Sequence, residues 1–228
     1  NKIRFLLINP TSPTWRATKK GRPPSRKVFR FSMLSSLQVA ASVPPQVETQ
    51  ILDEDVEPID FDTDADLIGI SLMTYNAPRA YEIADRFRSE RGKPVVLGGY
   101  HPSFLPEEAM QHADAVCVGE AEYNLPRMIQ DFTAGQLRGI YRSELVDLKD
   151  YPIPDRSLLP RGTYMTPDVL QATRGCPHRC KYCSVASFQR GLIRTRPVED
   201  VIEELKMLGR QVMFMDDNII GDRDYAME

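Results

Sequence analysis

No apolar run in the 228 residues approaches the roughly 20 needed to cross a bilayer as a helix; Phe5 to Ile8 and Val95 to Leu97 are typical of the longest. No membrane span is therefore expected. The opening residues also lack the apolar stretch and small-residue cleavage site of a secretory signal, so a cytoplasmic location is the default expectation. An excess of one charge is missing too: 29 Lys and Arg against 32 Asp and Glu leave a net charge of -3. That balance gives no general pull toward nucleic acid or a membrane surface. Cysteine is scarce, and four in a chain of this size do not make a disulfide framework. Three of them, Cys176, Cys180 and Cys183, crowd together while Cys117 lies far away, a distribution that suits metal ligation better than pairing.

What is present is an alternation of strand and helix patterns. Ile3 to Asn9 reads as a buried strand ended by Pro10. A long basic loop follows, carrying Arg16, Lys19, Lys20, Arg22, Arg26, Lys27 and Arg30 and no acid. It reads as a solvated loop, with steering of an anionic ligand as the alternative. Phe31 to Val43 suits a helix, and Glu48 to Val56 a short edge strand. Strands are then expected at Asp66 to Ser71, Lys93 to Gly98 and Ala115 to Gly119, with helices at Ala77 to Glu90, Pro106 to His112 and Glu122 to Phe132. Strands apolar on both faces and separated by helices predict a doubly wound, Rossmann-like α/β domain over residues 1–135, built on a parallel sheet. Ligands of such sheets bind at the carboxyl ends of the strands, here the loops starting at Pro10, Ser71, Gly98 and Gly119.

Residues 136–167 are interrupted by Pro152, Pro154, Pro160 and Pro167 and read as a linker. Residues 168–228 open a second α/β unit. A strand is expected near Val169 to Thr173, then the cysteine loop, a helix from Pro197 to Leu208, and a strand at Gln211 to Met215 leading into Asp216, Asp217 and Asn218.

The cysteine loop, Arg174 to Ser184 (RGCPHRCKYCS), has the spacing C-x3-C-x2-C. Thiolates are soft ligands for zinc or for iron-sulfur clusters, and three on one tight loop leave a metal position open. A zinc site completed by His178 is the plainer alternative. Such sites usually draw their fourth ligand from a separate segment, and none of the three histidines stands in a pair with ligand spacing.

This loop resembles the signature of the radical S-adenosylmethionine (SAM) superfamily. The resemblance implies that Cys176, Cys180 and Cys183 hold a [4Fe-4S] cluster, with SAM on the fourth iron cleaved by one electron to a 5'-deoxyadenosyl radical. It also places Tyr182 near the adenine. In that family the next strand commonly ends in a glycine-rich motif that binds the SAM amino group; here Asp216 and Asp217 stand in its place, and an ordinary Asx turn is their other reading.

The N-terminal part resembles the cobalamin-binding domain that precedes the radical SAM domain in the B12-dependent subgroup. The segments that carry this are Ser71-Leu72-Met73-Thr74, Gly98-Gly99-Tyr100-His101-Pro102 and Val118-Gly119-Glu120-Ala121-Glu122. The resemblance implies cobalamin contacts at Ser71, Met73, Thr74, Gly98, Gly99, Tyr100, His101, Gly119 and Glu120. His101 is read as touching corrin side groups or packing locally. The Asp-x-His-x-x-Gly motif of histidine-ligated cobalamin folds has no counterpart after the first strand, since residues 10–30 contain neither Asp nor His. Cys117 reads as a buried hydrophobe.

Together these resemblances imply a cobalamin-dependent radical SAM enzyme that transfers a methyl group to an unactivated carbon of a small molecule. A flavodoxin or ferredoxin would supply the electron. A radical SAM cyclase of the same subgroup, as in anaerobic Mg-protoporphyrin monomethyl ester cyclase-like enzymes, is one alternative, and a non-catalytic cobalamin- or metal-binding fragment is another. A methylthiotransferase would need three further N-terminal cysteines, which are absent. Only 45 residues follow Cys183, where a partial barrel needs several βα units of roughly 30 residues each. An incomplete radical SAM domain is therefore expected.

Overall fold

The computed structural model describes residues 2–12, 28–160 and 162–228. The basic stretch Arg16 to Lys27 lies outside the described residues. The described residues divide into two compact units, one based on Ser35–Glu144 with the opening strand and Pro154–Leu159, the other on 162–228 with 28–34, Leu145–Ile153 and Pro160.

In chain order the strands and longer helices are β1 (Arg4–Asn9), β2 (Val28–Phe31), α1 (Leu34–Ala41), β3 (Glu48–Asp53), β4 (Leu67–Ser71), α2 (Ala77–Arg91), β5 (Val95–Gly98), α3 (Tyr100–Phe104), α4 (Pro106–Ala109), β6 (Ala115–Val118), α5 (Ala121–Thr133) and β7 (Gly139–Arg142). They continue with β8 (Tyr164–Thr166), β9 (Val169–Leu170), β10 (Thr173–Gly175), α6 (Ser184–Phe188), β11 (Ile193–Thr195), α7 (Val198–Lys206), β12 (Met213–Phe214) and α8 (Arg223–Met227).

The first unit is a six-stranded sheet in the order β3-β1-β4-β5-β6-β7. All its pairings are parallel. β1 is buried at every position after Arg4, and β4 to β6 are nearly as apolar, because helices cover both faces of a parallel sheet. Ile8, Ile68, Ile70, Val95 and Leu97 pack with Ala80, Ile83, Ala84 and Phe87 of α2 in one core. Each large side chain so buried contributes about 1.5–3 kcal/mol. α2 starts after Asn76, with Pro78 in its first turn. It stops at Gly92, whose φ of 61° lets its N–H return to the Phe87 carbonyl.

The doubly wound sheet expected from the sequence is present. Its sixth strand, β7, falls in the stretch read as a linker, and Phe31, read as the start of a helix, instead lies in β2. β2 pairs with β8 in the second unit. That unit also holds a parallel pair of β9 and β12 and an antiparallel pair of β10 and β11. Leu170, Ala172 and Val201 form its small core with Leu205, Leu208, Val212 and Tyr225.

Candidate functional site

In the first unit, the strand order reverses between β1 and β4, so the loops leaving those strands mark the switch point of the sheet's carboxyl edge, where sheets of this kind bind ligands. Asn76 holds the two loops. Its Nδ2 donates to the Pro10 carbonyl at 2.9 Å, and its Oδ1 accepts from the Met73 N–H at 2.8 Å. Only 4% exposed, this amide lets Met73 and Tyr75 project outward at 40% and 61% exposure.

The neighbouring loops are tied in the same way. Ser71 is in register with Gly98, and the Leu72 N–H donates to the Gly98 carbonyl at 2.9 Å. Ser103 donates to the Gly99 carbonyl at 2.7 Å and accepts from the Gly119 N–H at 3.0 Å. Asn124 reaches from α5 to the Val118 and Glu120 carbonyls at 3.1 and 3.3 Å. The expected residues Ser71, Met73, Thr74, Gly98, Gly99, Tyr100, Gly119 and Glu120 therefore lie at the ends of three adjacent strands.

Within this group the two glycines differ. A Cβ on Gly99 would lie 2.5 Å from the Leu72 carbonyl oxygen, at a φ of +106°, whereas one on Gly98 would meet Cys117 Cβ at an ordinary 3.5 Å. Gly99 is thus required by the fold itself.

His101 is 5% exposed. Its Nδ1 is 3.2 Å from Thr74 Oγ1, and its Nε2 lies 3.0 Å from the Tyr81 hydroxyl and 3.2 Å from Glu108 Oε1. Both ring nitrogens are thus engaged inside the unit. Bonds from His101 and Tyr81 hold the Glu108 carboxyl below its usual range. Burial pushes the Cys117 thiol up to about 12, so it remains a neutral core group.

In the second unit the cysteine loop leaves β10 at Gly175. A Cβ there would lie 2.1 Å from the Leu192 carbonyl oxygen, at a φ of +95°, so glycine lets β10 and β11 close at the base of the loop. All three loop cysteines are free thiols, Cys180 exposed and the others half-buried. The Cys183 N–H donates to the Cys180 carbonyl at 3.0 Å and closes the tip. Tyr182 is 92% exposed.

No three His, Cys, Asp or Glu side chains among the described residues converge on a single ion. A cluster asks for something different: each thiolate binds its own iron, so ligands spread along an accessible loop fit it. The soft donor set, its accessibility and the absence of disulfides suit a [4Fe-4S] group at Cys176, Cys180 and Cys183.

Asp216 accepts from the Ala172 N–H at 3.2 Å, from the Thr173 N–H, and from the Thr173 hydroxyl at 2.7 Å. Desolvation pushes its carboxyl above the usual range, against those bonds. Asp217, exposed, accepts from the Gly175 N–H at 2.8 Å. Asn218 Nδ2 donates to Cys176 Sγ at 3.3 Å. Sequence reasoning singled out the two aspartates for a ligand and passed over Asn218, Asn76, Ser103 and Asn124. Of these only Asn76 carried a local signal, as a capping residue ahead of Ala77-Pro78.

Known proteins share these two modules. Residues 35–129 match the B12 binding domain, and residues 170–227 match the radical SAM superfamily. Bacteriochlorophyllide d C-8(2)-methyltransferase of Chlorobaculum tepidum is 40% identical over 161 residues, covering 64% of this chain and 34% of that protein. Bacteriochlorophyllide d C-12(1)-methyltransferase of the same organism is 31% identical over 244 residues, covering 100% of this chain and 51% of that protein. A solved structure of the radical SAM methyltransferase TsrM from Kitasatospora setae, with tryptophan and a SAM analogue bound, shares the fold at a TM-score of 0.67 and 15% identity. It covers 98% of this chain and 49% of that one. The chain spans about half or less of the length of these relatives. The two matched domains imply cobalamin, SAM and a [4Fe-4S] cluster as cofactors. No described helix is long and apolar enough to cross a membrane.

Proposed function

On the premise that this chain carries a B12-binding domain followed by radical SAM sequence, we propose that its protein is a cobalamin-dependent radical SAM methyltransferase. The observation that carries this reading is the pairing, in one chain, of a glycine-lined carboxyl edge with an accessible loop of three thiols. When bound, the cluster, SAM and cobalamin would supply one-electron cleavage of SAM and a methyl group for an unactivated carbon of a small molecule.

The chain's own residues bind and orient these groups. Cys176, Cys180 and Cys183 are proposed as the cluster ligands, with Tyr182, exposed beside them, as a face for the adenine. Asp217 is proposed to meet the SAM amino group, while Asp216 is largely engaged with the backbone at 172 and 173. Ser71, Met73, Thr74, Gly98, Gly99, Tyr100, Gly119 and Glu120 are proposed to line the cobalamin surface. His101, through Thr74, would hold that lining in shape. A small one-electron donor protein, a flavodoxin or ferredoxin, is the proposed partner.

The test is anaerobic reconstitution of the protein with iron, sulfide and hydroxocobalamin, followed by turnover with SAM and a reductant. Bacteriochlorophyllide d, named for both relatives, is the first substrate to try. A methylated product together with 5'-deoxyadenosine is expected. Deoxyadenosine with a cyclised, unmethylated product would replace methyl transfer with the cyclase reading, and stoichiometric zinc without iron would overturn both.

A further inference from the structure

Three consecutive residues after β12 grip three successive parts of the segment that leads into the cysteine loop. Asp216 takes the Ala172 and Thr173 N–H groups, Asp217 takes that of Gly175, and Asn218 reaches the Cys176 sulfur. The following turn leans on the same loop. A Cβ on Gly221 would come within 2.8 Å of Pro177 Cδ and 3.2 Å of Asn218 Nδ2, and the Gly221 N–H donates to the Asn218 carbonyl at 3.0 Å. Asn218 is therefore fixed from both sides.

The polarity of its contact with sulfur has one sense. A thiolate can only accept, and the amide nitrogen can only donate. Hydrogen bonds donated to the sulfurs of an iron-sulfur cluster favour the more negatively charged, reduced state, and are one of the levers by which proteins set the cluster's potential.

We infer that Asn218 is a positioning residue which fixes the Cys176 sulfur and, by donating to it, raises the reduction potential of the cluster held there. Asp216 and Asp217 anchor the backbone on which that sulfur rides. The inference rests on the reading of Cys176, Cys180 and Cys183 as cluster ligands. It gives this short segment a task in tuning the electron acceptor, separate from contact with SAM.

The test is a potentiometric titration of the reconstituted protein, followed by electron paramagnetic resonance, for wild type, Asn218→Leu and Asn218→Asp. Iron and sulfide per chain are measured in parallel. Removing the donor in Asn218→Leu lowers the midpoint, so that at the wild-type midpoint the oxidised-to-reduced ratio rises several-fold. A tenfold rise corresponds to about 59 mV for one electron. Asn218→Asp keeps the size and shape of the side chain but places an anion against the sulfur, and shifts the midpoint further the same way.

A purely structural role would lower iron content without moving the potential of the clusters that form. An unchanged midpoint in Asn218→Leu overturns the inference whatever the aspartate variant does, and where the leucine variant loads no cluster an unchanged midpoint in Asn218→Asp overturns it. A wild type that binds no iron overturns the cluster reading instead, and the two failures are thus told apart.

Discussion

Gly98 and Gly99 stand side by side in the sequence and do different work. Gly99 occupies a backbone region essentially reserved for glycine, with the Leu72 carbonyl where a Cβ would be. Gly98 has ordinary room around it. Gly99→Ala should therefore lower unfolding stability by roughly 1–3 kcal/mol from backbone strain alone, read as an earlier midpoint in urea. Gly98→Ala should leave the midpoint nearly unchanged. If Gly98→Ala also binds hydroxocobalamin as tightly as wild type, the proposed cobalamin role of Gly98 is wrong. The sequence made the pair visible but not this division, because the obstacle to Gly99 is a carbonyl in another strand's loop. His101 was equally visible as a polar residue near the site. Its inward orientation depends on Tyr81 of α2 and Glu108 of α4, each on a different helix from His101 itself.

Among the elements, those with long apolar patterns were legible. β1, β4, β5 and β6 and helices α2 and α5 fall within a few residues of where the pattern puts them, because burial on both faces leaves a continuous signal. Short elements stabilised by distant partners were not. β2 exists through pairing with β8, and β7 completes a sheet edge inside a proline-rich stretch. The β10–β11 pair behind the cysteine loop depends on Gly175. The same unit hides an ion pair that composition could not announce. Arg196 and Glu204 are each 1% exposed and meet at 2.6 Å, and the guanidinium lies 4.4 Å over the Tyr151 ring. Charges this deep are costly to leave alone, so Glu204→Ala should destabilise by about 3–5 kcal/mol. Arg196→Met combined with Glu204→Leu should recover much of that loss, since a well-packed apolar pair avoids the desolvation cost of both charges. Thermal melts of the single and double variants check this, and a double variant no more stable than the single one would count against it.

For the whole molecule, the two units have separate cores, one around Ile68, Leu97 and Phe87 and one around Leu170, Ala172 and Val201. Their proposed ligands share no residue: the cobalamin set ends at Glu120, and the cluster set begins at Cys176. Cofactor loading should therefore be separable. Cys180 is exposed at the loop tip, so Cys180→Ala creates no core cavity; it should abolish iron uptake while the protein keeps bound corrin through desalting. Met73→Asp, which places a charge on an exposed side chain of the sheet's carboxyl edge, should do the reverse, keeping iron and losing corrin colour. Iron analysis and the visible spectrum of the same sample read both. Should Cys180→Ala lose corrin and iron together while its circular dichroism stays native, the two sites would be coupled, and assignment of each cofactor to a single unit would have to be abandoned.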